Sequence, residues 1–164
     1  MQRGYIIGLD IGTTSTKAVL FEQDGQVIDT VYEEYPMFRD TPAMAEQNLD
    51  DLFQATLKSI KTLIERTTIS PKKIMCVSFS NAMHSLIAMD ENDQPLTRNI
   101  TWADNRSAEY AEKLKRTDGL SLYHRTGTPI HPMSSLTKII WLRETYSKVF
   151  KKTKKFIGIN EYIF

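Results

Sequence analysis

Apolar positions along the chain fall into short runs at first and into helical spacing later. Tyr5-Ile6-Ile7-Gly8-Leu9 is a compact apolar run, as expected of a strand buried on both faces. Lys17-Ala18-Val19-Leu20-Phe21 reads as a second strand. Residues 26–34, rich in β-branched side chains and tyrosine, read as a third. Gly12-Thr13-Thr14-Ser15 supplies turn chemistry between the first two, and Asp24-Gly25 is a tight-hairpin signal between the next two. Three strands joined by two short turns predict an antiparallel meander.

Residues 36–45 read as an irregular connection. Asn48 is a good N-cap, with Asp50 and Asp51 in the first turn, where the helix dipole favours anions. Leu49, Leu52, Phe53, Leu57, Ile60, Leu63 and Ile64 recur at helical spacing, which predicts an amphipathic helix over 49–66. After Pro71, residues 72–80 return to a buried strand. Residues 85–90 form another short strand, closed by the polar turn Glu91-Asn92-Asp93-Gln94. Strand, strand, strand, helix, strand is the order of a ribonuclease-H-like α/β sheet with helices packed on it. Beyond Asn99 the pattern turns helical. One helix is expected over 104–116, and another starts near Ser134 or Ser135 and carries Leu136, Ile139, Ile140, Trp141 and Leu142. Residues 153–158 read as a last strand, and Tyr162-Ile163-Phe164 ends the sequence without a helix cap.

Composition narrows the class of function. With 164 residues, 41% hydrophobic and 25% charged, the chain can bury a core of about one domain. Lys+Arg 21 against Asp+Glu 20 leaves a net charge of +1, so no strong field draws it to nucleic acid or acidic lipid. The basic run 148–155 therefore reads as a solvated face. The single cysteine, Cys76, excludes an intramolecular disulfide and a multi-cysteine metal site, and reads as a small buried hydrophobe. No apolar run has the length of a membrane span, and the start lacks a secretory pattern, so a cytoplasmic location is the expectation.

Four polar clusters carry candidate chemistry. Asp10-Ile11-Gly12-Thr13-Thr14-Ser15-Thr16-Lys17 joins the first two strands. A tight Gly/Thr/Ser turn presents N–H groups and hydroxyls to an anion, Asp10 can hold a magnesium ion, and Lys17 adds a positive charge. Such parts grip nucleotide phosphates; an ordinary hairpin is the plainer reading. Ser80-Asn81-Ala82-Met83-His84-Ser85 breaks two apolar strands, a common place for a ligand, although a lone histidine is often structural. Thr101-Trp102-Ala103-Asp104-Asn105-Arg106 combines groups that bind a polyhydroxylated molecule by stacking and paired hydrogen bonds. Alternatively, Asp104 caps the next helix, Trp102 packs beneath it, and Arg106 is a salt-bridge partner. Arg125-Thr126-Gly127-Thr128-Pro129-Ile130-His131-Pro132 reads as a rigid loop, and His124 and His131 have no cysteine with which to bind zinc.

Taken in order, these clusters resemble the N-terminal part of the FGGY carbohydrate kinases. The octad 10–17 is similar to that family's ATP-phosphate hairpin, and Glu46-Gln47-Asn48 to the step before its first long helix. Met83-His84 departs from the Arg-Glu pair of glycerol kinases. Xylulokinases share Met-His but usually precede it with glutamine, where Ala82 stands here. The three remaining clusters and the ending 156–163 are most similar to bacterial gluconokinases. The resemblance implies an actin/hexokinase-like ATPase fold, with residues 1–164 as part of the first domain. The implied activity is ATP-dependent phosphorylation of a sugar acid, D-gluconate first and xylulose as the alternative. A non-catalytic actin-like binding module is the rival from another class. Asp10, Gly12, Thr13, Thr14 and Lys17 are then expected to hold ATP phosphates, with Asp10 beside Mg2+. Met83, His84, Trp102, Asp104 and Arg106 are expected to line the substrate pocket. The general-base aspartate is expected beyond residue 164, so this chain alone is expected to be inactive. The expected partners are ATP and a small sugar acid, not nucleic acid or a membrane. A homodimeric parent, and self-association of this piece through its apolar end, complete the expectations.

Overall fold

The computed structural model describes residues 4–164. Its first elements are β1 (Tyr5–Ile11), β2 (Ser15–Glu22), β3 (Val27–Glu34), β4 (Glu46–Gln47), α1 (Leu49–Thr67) and β5 (Ile74–Asn81). There follow β6 (Ile87–Met89), β7 (Asn99–Ile100), α2 (Ala108–Thr117), α3 (Gly119–Thr126), α4 (Ser135–Thr145), α5 (Ser147–Lys152), β8 (Lys155–Ile157) and α6 (Ile159–Ile163). The chain divides into two compact units, Met1–Met37 with Asn48–Ala82, and Phe38–Gln47 with Met83–Phe164.

The first unit is a four-stranded sheet in the order β3-β2-β1-β5. The meander β1-β2-β3 is antiparallel, and β5 returns parallel to β1 after α1, the expected ribonuclease-H-like order. The second hairpin closes with Gly25 at φ +91°, a left-handed conformation that costs glycine least. Leu49, Leu52, Ala55, Thr56, Ser59 and Leu63, spaced three and four apart, are the buried stripe of α1. Leu63 joins Ile7, Leu9, Ala18, Leu20 and Val31 in one core. Burying a leucine of this kind contributes about 1.5–3 kcal/mol relative to leaving it in water. Asn48 caps α1 as expected, its side-chain oxygen accepting from the N–H groups of Asp50 at 2.8 Å and Asp51 at 3.1 Å.

One expectation for this unit is corrected. Residues 72–80 are not a buried strand: β5 stands at the edge of the sheet, with Met75 63% and Val77 46% exposed. Cys76 is exposed as well. An apolar run predicts burial only if something packs on both faces, and α1 packs on the meander instead.

The second unit contains two small antiparallel pairs, β4 with β7 and β6 with β8. Its core gathers Leu86, Ile100, Trp141 and Leu142, flanked by Tyr110, Ile139 and Phe156. Three expectations change here. The helix placed over 104–116 begins at Ala108, and Asp104 does not cap it. The loop placed over 125–132 gives up Arg125 and Thr126 to α3, which ends at Gly127 with φ +69°. That helix buries no residue and has no side-chain cap at its start, so only its end, at Gly127, carries a mark readable from sequence. Trp102 does not pack beneath α2 but is 45% exposed. The lysines of the 148–155 run are exposed, in keeping with a solvated face.

Candidate functional site

The Asp10–Lys17 octad forms the hairpin between β1 and β2. Asp10 and Lys17 are cross-strand partners, with Lys17 Nζ 4.0 Å from Asp10 Oδ2 and both side chains open to solvent. Thr13 and Thr14 make the turn, closed by a hydrogen bond from Gly12 N to Ser15 O at 3.0 Å. A Cβ on Gly12 would sit 3.1 Å from that same Ser15 carbonyl, tight enough to push the turn open. The chain after β3 then braces the hairpin. Tyr35 N donates to Thr14 O at 3.1 Å, and the Tyr35 hydroxyl donates to Gly12 O at 2.8 Å. Burial pushes the Tyr35 phenol up to about 12, so it remains a donor across the physiological range. Beneath the turn the buried Thr16 hydroxyl lies 3.4 Å from that of Thr56. The result is a rigid two-residue turn flanked by an accessible carboxylate and an accessible ammonium.

In the second unit, Met83 and His84 lead into β6, and Thr101 and Trp102 follow β7. The isolated pairing of Leu86 with Ile100, through hydrogen bonds of 3.0 and 2.9 Å, sets these two segments side by side. Met83 is 66% exposed, and His84 adopts φ +59°, a left-handed conformation uncommon outside glycine. His84 also borders a cleft of ≈ 250 Å³ shared with Leu122, Thr126, Ile130, Ser134 and Leu136, so the loop after α3 lies beside it.

Asp104 is fully buried. Its carboxylate accepts from Ala45 N at 2.9 Å, Arg106 N at 3.1 Å and Arg106 Nε at 3.0 Å, which explains why it caps no helix. Arg106 also pairs with Glu46, and its guanidinium lies 4.4 Å from the centre of the Trp141 ring. Burial works against the Arg106 charge, but the bonds to Asp104 and Glu46 outweigh it and raise its pKa above the ordinary arginine value. Asp104 and Arg106 thus hold the Trp102 loop through their own pairing, while Met83 and Trp102 present accessible side chains.

Two residues, one in each unit, went unnoticed in the sequence. Tyr35 falls just past the third strand expected over 26–34, where nothing in the sequence marks it. Lys138, in α4, is fully buried, and its Nζ donates at 2.7 Å to both His84 O and Thr101 O.

The antiparallel meander with a parallel fourth strand and a Gly-Thr-Thr hairpin defines the class: a ribonuclease-H-like domain of the actin/hexokinase ATPase type. The description of the FGGY family of carbohydrate kinases, N-terminal domain, matches residues 5–164. The chain belongs to the FGGY family of carbohydrate kinases. It is 49% identical over 161 residues to the gluconokinase of Bacillus subtilis (strain 168), covering 98% of this chain and 31% of that protein. The crystal structure of gluconate kinase from Lactobacillus acidophilus superposes with TM-score 0.93 at 37% identity, over 99% of this chain and 32% of that one. Ligand-bound xylulose kinase from Lactobacillus acidophilus matches with TM-score 0.93 at 38% identity, over 98% of this chain and 32% of that one. The chain spans about a third of the length of the relatives it matches. Among the described residues no helix is long and apolar enough to cross a membrane, and no cluster of three metal-ligating side chains occurs.

Proposed function

We propose that this chain is the N-terminal part of the first actin-like domain of a cytoplasmic, ATP-dependent gluconate kinase. The observation that carries the reading is the 49% identity to a gluconokinase across nearly the whole chain. In the reaction the bond between the γ-phosphorus and the oxygen bridging it to the β-phosphate breaks, and a new bond forms to the 6-hydroxyl oxygen of D-gluconate. The hydroxyl proton passes to a general base, an aspartate that the family resemblance puts outside residues 1–164. Phosphoryl transfer depends mainly on positioning and charge stabilisation.

In this reading the Gly12-Thr13-Thr14 turn and Lys17 receive the phosphates. Asp10, a single accessible carboxylate at a strand end, suits Mg2+, an ion commonly held by one or two carboxylates plus substrate phosphates. When bound, that ion would neutralise charge on the phosphates. Met83, His84 and Trp102 contact the sugar acid, and the buried Asp104 and Arg106 shape the same pocket by fixing the Trp102 loop. Xylulose is the second reading, supported by the 38% identity to a xylulose kinase of solved structure. The full-length kinase carrying this chain, assayed for ADP release with gluconate, xylulose, ribulose and glycerol, separates these readings. Gluconate is expected to give the highest kcat/KM. Preference for xylulose would overturn the gluconate reading, and no phosphorylation of any of them would overturn the kinase reading.

A further inference from the structure

An ammonium buried without a carboxylate in hydrogen-bond contact is costly, and burial draws the Lys138 pKa down from lysine's ordinary 10.5 to about 8. The nearby Asp104 charge favours the ammonium and Arg106 opposes it. Both hydrogen bonds of Nζ go to backbone carbonyls, one in each segment of the proposed sugar pocket. The first acceptor belongs to His84, whose left-handed backbone must be held by its surroundings. The second belongs to Thr101, which also accepts from Asp104 N at 3.2 Å and immediately precedes the exposed Trp102. A packed core would be served equally well by methionine at this place in α4. An ammonium, in contrast, can draw two separate carbonyls onto one point.

We propose that Lys138 is a positioning residue for the sugar substrate, tying the Met83–His84 turn to the Trp102 loop so that their side chains meet the same molecule. The proposal rests on the sugar-kinase reading above, but not on which sugar is the substrate. Lys138 touches neither substrate nor ATP; it acts through the two carbonyls.

The test uses the full-length kinase. Lys138→Met removes both donors while keeping the volume of the side chain. The expected result is a rise of at least tenfold in KM for gluconate, with KM for ATP within twofold of wild type. Lys138→Arg keeps charge and donors but enlarges the head group, and is expected to raise the gluconate KM by less than Lys138→Met does. Where Lys138→Met does not fold, Lys138→Gln, a polar side chain too short to reach both carbonyls, is measured in its place, and a gluconate KM equal to wild type in that variant overturns the proposal. An unchanged gluconate KM in a folded Lys138→Met, or equal rises in both KM values, overturns it as well. Failure of both variants to fold makes the lysine purely structural and also overturns it. A wild-type kinase that prefers xylulose fails the gluconate reading alone, and the same split is then measured with xylulose.

Discussion

The Tyr35 hydroxyl donates to the carbonyl of Gly12 at 2.8 Å, so a residue 23 positions away sets the shape of the turn between β1 and β2. Tyr35→Phe removes this bond and leaves the ring in place. A hydrogen bond of this kind is worth about 0.5–1.5 kcal/mol, equivalent to a roughly two- to tenfold change in an equilibrium constant. The expected outcome in the full-length kinase is a rise of that size in KM for Mg-ATP, with the gluconate KM unchanged. Steady-state kinetics with each substrate varied in turn checks it. An unchanged ATP KM would show that the turn keeps its shape without the brace.

Asp10 and Lys17 face each other across β1 and β2, yet at 4.0 Å and in solvent their pairing stabilises little. Asp10→Asn should therefore leave the melting temperature of this chain where it is. In the full-length kinase it should lower turnover more than tenfold at saturating Mg-ATP, because it weakens the interaction with the metal-bound phosphates. A loss of stability in step with the loss of turnover would return Asp10 to a structural role.

The ion pairs of the second unit differ sharply in exposure. The Arg106 side chain is 18% exposed and its partner Asp104 1%, whereas Lys113 and Glu109 lie on the surface of α2. Arg106→Met leaves a buried carboxylate without its countercharge and should cost about 3 kcal/mol, at the lower end of the range for broken buried pairs. Lys113→Met should cost nothing measurable. Urea unfolding followed by tryptophan fluorescence is suited to the comparison, since Trp102 and Trp141, the only two tryptophans, both lie in this unit. Equal effects of the two substitutions would sink the argument.

Lys138 also makes stability depend on pH in a stated direction. Its folded pKa of about 8 lies below the ordinary 10.5, so between these values the unfolded chain binds the extra proton. Stability from this group therefore rises as pH climbs from about 8 toward 10.5, and is independent of pH below that window, where both states are charged. The melting temperature of wild type minus that of Lys138→Met should rise between about pH 7.5 and pH 10. A difference that falls or stays constant contradicts the lowered pKa.

The sequence alone determined the meander, the long capped helix and the Gly-Thr-Thr hairpin, because each rests on local chemistry. Alternating β-branched residues, Asp24-Gly25, Asn48 ahead of Asp50 and Asp51, and Gly12 before two threonines act over a few positions. It also marked Met83-His84 and Trp102 as polar or aromatic breaks between apolar segments. Only the tertiary structure decided burial and pairing across distance. Cys76 and Met75 sit in as apolar a run as β1 does, but β5 is an edge strand and exposes them. Asp104 has the residue type and the place of a helix cap, yet Ala45 N and Arg106 take its carboxylate first. Lys138 shares the helix face of Trp141 and Leu142, but its residue type argues for solvent. Its role arises from two carbonyls contributed 54 and 37 positions away, and such long-range partners leave no periodicity in the chain that makes them.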